Sequence, residues 1–224
     1  MKKVVQKYKF AVIASDVVIF TVTDGDLKVL LIKMKKAPFQ KSWALPGGLV
    51  NGDESIDQSS VRILNDKTGL KNIYLEQLYT FGRVDRDPFG RVVSVAYYAL
   101  MPSGQLELQT TDEHPSVEWF SVKKLPALAY DHKEIIALAI QRLRDKLTYT
   151  NVVYGLLPKE FTLTELQAVY EVIMGYKIDK RNFRKKILAT EILKKLPKLR
   201  REGAHRPAEL FQFKQRILKV TTML

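Results

Sequence analysis

The chain has 224 residues, 46% hydrophobic and 27% charged, with no cysteine and a formal net charge of +13. These proportions belong to a globular protein of one large or two smaller domains rather than to a disordered chain, and the missing cysteines exclude disulfides, thiolate metal sites and thiol nucleophiles. The apolar runs Phe10 to Ala14 and Val17 to Val22 are interrupted by Ser15 and Asp16 and are too short to span a bilayer, so a cytoplasmic protein with no membrane partner is expected.

Phe10 to Thr23 and Leu27 to Met34 read as two strands, and the turn signal Asp24-Gly25-Asp26 between them predicts a hairpin. The compact turn Trp43-Ala44-Leu45-Pro46-Gly47-Gly48 follows. Glu54 to Thr68 contains neither Gly nor Pro, spaces Ile56, Val61 and Leu64 as a helix does, and runs up to Gly69. Further strands are predicted over Ile73 to Arg83, Arg91 to Met101 and Val117 to Val122. A helix from His132 to Leu147 repeats Ile135, Ile136, Leu138, Ala139, Leu143 and Leu147 in an amphipathic pattern.

Past a boundary placed near Thr148 to Leu157 the composition changes, and the residues from Thr148 onward carry +9 of the net charge. Thr162 and Glu165 form a capping-box pattern that starts a helix from Leu163 to Met174, ended by Gly175, with Leu166, Val169, Tyr170 and Ile173 as its buried face. Asp179 caps a second helix, Lys180 to Thr190, with Phe183, Ile187 and Leu188 facing inward and Lys180, Arg181, Asn182, Arg184 and Lys185 outward. Strands over Leu193 to Leu199 and Glu209 to Lys214 flank the loop Arg200 to Pro207. Helix, turn, basic helix and basic hairpin make a winged helix-turn-helix. A local basic excess on such a layout suits double-stranded DNA, with Lys180, Arg181, Asn182, Arg184, Lys185, Arg200, Arg201, His205 and Arg206 as the expected contacts.

The stretch Gly48 to Leu70 resembles a Nudix box: Gly, five residues, Glu, seven residues, then Arg-Glu-aliphatic-any-Glu-Glu-any-Gly-aliphatic. Gly48, Glu54, Arg62, Leu64, Gly69 and Leu70 all fall in register. The resemblance implies a Nudix α/β/α sandwich over about residues 8 to 147. In active members, glutamates at i, i+3 and i+4 of one helix face hold the divalent metals that polarise a diphosphate and activate water. Here those positions are Ile63, Asp66 and Lys67. Magnesium is therefore expected to bind weakly or not at all, and no catalytic residue, metal ligand or cofactor is assigned. Glu54 and Arg62 can serve as an ion pair supporting the loop.

Loss of catalysis leaves room for binding. The loop Arg83 to Arg91 packs charges between two strands, either as a site suited to phosphates or sugar hydroxyls or, equally, as a solvated hairpin loop. The expected effector contacts are Trp43, Arg83, Asp85, Arg86, Asp87, Arg91 and His132, although for Trp43 a core or rim aromatic is the more expected role. Asp131 is expected to cap the helix that starts at His132.

Both halves together resemble the Nudix-related transcriptional regulators called NrtR. The words that carry this are Leu156-Leu157-Pro158, Phe161-Thr162-Leu163 with Glu165-Leu166-Gln167, Asp179 to Lys186, and Gly203-Ala204-His205-Arg206-Pro207-Ala208. Leu128 to His132 resembles the family's link into the last Nudix helix. The resemblance implies an α+β chain with an effector-binding and dimerisation domain over residues 1–148 and a winged-helix DNA-binding domain over 149–224. It further implies a homodimer on a palindromic operator, usually a repressor of NAD or pentose sugar metabolism. The effector is ADP-ribose or a related nucleotide in one branch and L-arabinose in another. Val84 to Pro88 followed by Arg91 to Ser94 looks closer to the second. The competing readings are a magnesium-dependent hydrolase of nucleoside diphosphate compounds, which Ile63 and Lys67 oppose, and an RNA-binding Nudix protein, which the helix-and-wing layout opposes.

Overall fold

The computed structural model describes residues 10–68, 73–103, 116–201 and 207–221. Strands β1 (Val12–Thr23) and β2 (Asp26–Lys33) form the expected hairpin, paired from Thr23↔Asp26 to Phe20↔Val29. Asp24 and Gly25 both take positive φ, 54° and 69°, the backbone that a tight two-residue hairpin turn requires. On its other side β1 pairs in parallel with β6 (Val92–Leu100), and β5 (Tyr74–Phe81) runs antiparallel at the edge. The short strands β3 (Trp43–Ala44) and β7 (Val117–Ser121) pair with β2, while β4 (Gly47–Leu49) pairs with the first half of β1.

Alternation along these strands splits the apolar residues between two cores. Val17, Ile19, Leu30, Ile32, Val95 and Tyr97 face helix α1 (Ile56–Thr68), while Val18, Phe20, Val29, Leu31, Tyr98 and Leu100 face helix α2 (His132–Tyr149). The result is the expected α/β/α sandwich. One detail of α1 corrects the sequence pattern: Val61 is exposed, and the inward positions are Ser59, Ser60, Ile63 and Leu64.

Helix α3 (Leu163–Met174) begins with the expected capping box, in which Thr162 Oγ1 accepts from Glu165 N and Glu165 accepts from Thr162 N. Gly175 ends it at φ 81°. Helix α4 (Lys180–Ala189) is capped by Asp179, whose carboxylate accepts from Asn182 N at 2.8 Å. Strands β8 (Leu193–Arg200) and β9 (Ala208–Phe213) complete a winged helix. Of its inward α4 residues Phe183 and Ile187 are buried, but Leu188 is 47% exposed. Gly69, His205 and Arg206 lie outside the described residues.

A single apolar core runs from the α2 face of the sheet through Leu143, Leu147, Val152 and Leu156 into Phe161, Leu166, Tyr170 and Phe211. The 3-10 turn Val152–Gly155 is pressed onto the sheet, for a Cβ on Gly155 would stand 2.7 Å from the Leu100 Cβ. The tail then returns over this junction: Thr221 N donates to Tyr149 O, Asn151 Nδ2 to Ile217 O, and Arg216 to the carbonyls of Tyr154, Leu157 and Pro158. No described helix is long and apolar enough to cross a membrane.

Candidate functional site

The Nudix-like loop is held as its sequence suggests. Arg62 Nε and Nη2 donate to Glu54 at 2.9 and 2.6 Å, and Asn51 N donates to the same carboxylate at 2.9 Å. These bonds, the guanidinium first, hold Glu54 down at about 2. At two of the three positions that hold metal in active members the side chains are described. Ile63 is 3% exposed and sits in the core against the sheet, offering no oxygen, and Asp66 is an exposed carboxylate. Among the described residues no cluster of three carboxylates or imidazoles could hold a metal.

The polar centre of this half lies at the start of α2. Arg86, on the β5–β6 loop, is buried and gives a bidentate pair to Asp131, Nε to Oδ2 at 2.9 Å and Nη2 to Oδ1 at 2.7 Å. Its Nη2 also reaches Asp16 Oδ2 at 3.4 Å. Burial opposes the Arg86 charge, but the bonds to Asp131 and the fields of both carboxylates outweigh it and raise its pKa. Asp131 occupies the expected N-cap position of α2 but makes no side-chain capping bond there, since its carboxylate is spent on Arg86 instead. Asp16, in the middle of β1, also accepts from Ser94 Oγ at 2.5 Å.

His132 is fully enclosed. Leu45 N donates to its Nδ1 at 2.9 Å, which leaves the proton of the neutral ring on Nε2, 3.6 Å from Asp16 Oδ1. Burial, the largest influence, lowers its pKa despite the nearby carboxylates. Tyr130 holds φ 52° and packs on Phe39 at 4.3 Å and on His132 at 5.2 Å. Gly47 is demanded by this arrangement, since a Cβ there would lie 2.2 Å from Asp16 Oδ1.

These groups wall a cavity of about 250 Å³, lined by Asp16, Arg86, Asp87, Tyr130 and His132 and by the glycines of the Gly47–Gly48 turn. Three of the seven effector candidates, Arg86, Asp87 and His132, are therefore brought together. The other four stand elsewhere. Trp43 packs edge-on against Phe120 at 4.6 Å, Arg83 pairs with Asp85 and Glu134 on the surface, and Arg91 donates to the carbonyls of Gly82 and Arg83. Sequence reasoning missed Asp16. Its signal was a carboxylate directly beside the buried run Val17 to Phe20, where a charge needs a partner.

In the winged helix, Lys180, Arg181, Asn182 and Lys185 are exposed on α4, as are Arg201 and the nearby Lys186. Two expected contacts are engaged within the domain. Arg184 donates through Nη2 to Thr164 at 3.2 Å, and Arg200 bridges to Glu165 at 2.6 Å and to Glu160 O at 3.2 Å.

Comparison with known proteins is consistent across both halves. Residues 13–139 match the NUDIX domain, and residues 153–213 match the NrtR DNA-binding winged helix domain. The chain is 35% identical over 210 residues to the ADPR responsive transcriptional repressor NtrR of Acinetobacter baylyi, covering 92% of this chain and 83% of that protein. It is 37% identical over 115 residues to the ADP-ribose pyrophosphatase of Methanocaldococcus jannaschii, covering 51% of this chain and 67% of the relative. The crystal structure of Shewanella oneidensis NrtR complexed with a 27mer DNA aligns with a TM-score of 0.80 at 37% identity, covering 90% of this chain and 93% of that one.

Proposed function

Because the chain belongs to the NrtR family, a Nudix domain joined to a DNA-binding winged helix, we propose that it is an effector-responsive transcriptional repressor acting as a homodimer on operator DNA. Residues 1–148 sense the effector and dimerise, and residues 149–224 bind DNA. The observation that carries this reading is the path of α2. The helix starts at His132 in the cavity wall and ends against the winged helix, where Arg144 Nε donates to Ile173 O at 2.9 Å. An effector that rearranges the Arg86–Asp131 pair or the Leu45–His132 bond shifts the start of a rod whose far end carries the DNA-binding domain.

The effector of this proposal is an ADP-ribose-class nucleotide linked to NAD metabolism, in keeping with the repressor of Acinetobacter baylyi. The enclosed volume is below the roughly 300–1,000 Å³ typical of drug-sized ligands, and its wall offers Asp16 and Asp87 beside an Arg86 already paired. Such a wall suits sugar hydroxyls better than phosphates, so the terminal sugar enters and the phosphates stay at the mouth. The same observation favours a second reading, a free pentose such as L-arabinose filling the cavity alone. With Ile63 in the core, the effector is bound without being cleaved. Thermal shift with ADP-ribose, NAD and pentoses, with and without magnesium, followed by product analysis, tests all three statements. Stabilisation without turnover is expected, and magnesium-dependent cleavage returns the chain to the hydrolases.

A further inference from the structure

Resting on the DNA-binding reading above, we propose that base sequence is read by the α4 stripe Arg181, Lys185 and Leu188, with Leu188 seated on the 5-methyl group of a thymine. Arg184 and Arg200 hold the winged helix together and contact at most the phosphate backbone.

The direction of each side chain follows from the burial of α4. Phe183 and Ile187 are buried at i and i+4 and fix the side that faces the core. At about 100° per residue, Arg181, Lys185 and Leu188, spaced i, i+4 and i+7, lie on the opposite side, and all three are exposed. Arg184 and Lys180 fall on a flank instead. Arg184 runs along α3 to Thr164, and its Nε is buried with no partner among the described residues, so it is not extended toward solvent. Arg200 spends its guanidinium on Glu165 and Glu160, Lys198 pairs with Glu160 at 2.7 Å, and Lys195 pairs with Glu209. The strands β8 and β9 are thus braced by ion pairs, whereas the outer stripe of α4 forms none of the described salt bridges.

The chemistry of that stripe is mixed. Two cations can bond guanine O6 and N7 in the major groove. Leu188 follows them with a side chain 47% exposed to water. Thymine is the base that presents a methyl group in that groove. The rise from Arg181 to Leu188 is about 10 Å, roughly three base-pair steps at about 3.4 Å each. The half-site should therefore place a thymine within about three steps of a guanine.

The test uses the full chain. Bound duplexes are selected from a random library, each selected thymine is replaced in turn by deoxyuridine, and affinity is measured by anisotropy at fixed salt. One position per half-site should exist where deoxyuridine weakens the wild type about four-fold, the transfer free energy of one methyl group. Leu188→Ala should be indifferent to that replacement. Arg181→Ala should relax the guanine preference, and Arg184→Ala should weaken all sequences alike. The inference fails if no deoxyuridine position matters, or if Leu188→Ala still senses the methyl group. If the wild type binds no duplex at all, the DNA-binding reading fails and this inference with it.

Discussion

Replacing Arg86 probes the buried polar centre most directly. Its side chain is 3% exposed and lies between Asp131, 2% exposed, and Asp16, 9% exposed. Arg86→Ala leaves two enclosed carboxylates with the hydroxyl of Ser94 and the neutral ring of His132 for company. Breaking a buried pair from one side costs about 3–5 kcal/mol, a large part of a typical stability of about 5–15 kcal/mol. With a urea slope of about 3 kcal/mol per molar, the unfolding midpoint should fall by roughly 1–1.7 M. The second half of the cycle separates pairing from simple loss of packing. Asp131→Ala strands the guanidinium in turn, but the double variant removes both charges of the bidentate pair, so its cost should fall short of the summed single costs by about 2–3 kcal/mol. Midpoints that move by less than about 0.3 M, or single costs that add within about 0.5 kcal/mol, would refute the view that this pair organises the start of α2.

Three further outcomes follow from the same geometry. His132 is held neutral by burial with its folded pKa below the unfolded value near 6.5, so the unfolded chain takes up the proton first as pH falls. Stability attributable to this residue should be flat above about pH 7 and decline below pH 6.5 by up to about 1.4 kcal/mol per pH unit; an unchanged slope in His132→Asn contradicts this. Gly155→Ala would set a Cβ 2.7 Å from the Cβ of buried Leu100 and 3.2 Å from that of Tyr74, a clash between positions fixed by backbone, and should lower stability by about 1–3 kcal/mol in urea unfolding. A wild-type midpoint there means the junction is looser than described. Tyr170 buries a hydroxyl that has no partner among the described residues, so Tyr170→Phe should raise stability by about 1 kcal/mol in calorimetry, and a loss instead points to a bound water.

What the sequence made legible was local. The capping box at Thr162 and Glu165, the Asp24-Gly25 turn and the two-fold alternation of the strands each depend on residues within a few positions, and the observed elements follow them closely. The polar centre was not legible, because Asp16, Arg86 and Asp131 are 70 and 45 positions apart and meet only when the β5–β6 loop folds over the start of α2. That is also why Asp131 reads as an N-cap in sequence. Leu188 was misdirected by the same limitation: a helix of ten residues has two adjacent apolar positions, Ile187 and Leu188, and only packing decides which one turns inward. Ile63, noticed first as an absent carboxylate, proves to be part of the core against the sheet.

Effector-responsive repression is tested by measuring the affinity of the full chain for its selected operator while titrating ADP-ribose, and recovering the ligand afterwards. Operator affinity should change by about 5–150-fold, the usual range of allosteric coupling, with the ligand recovered intact whether or not magnesium is present. Unchanged operator affinity together with magnesium-dependent breakdown of the ligand would contradict it.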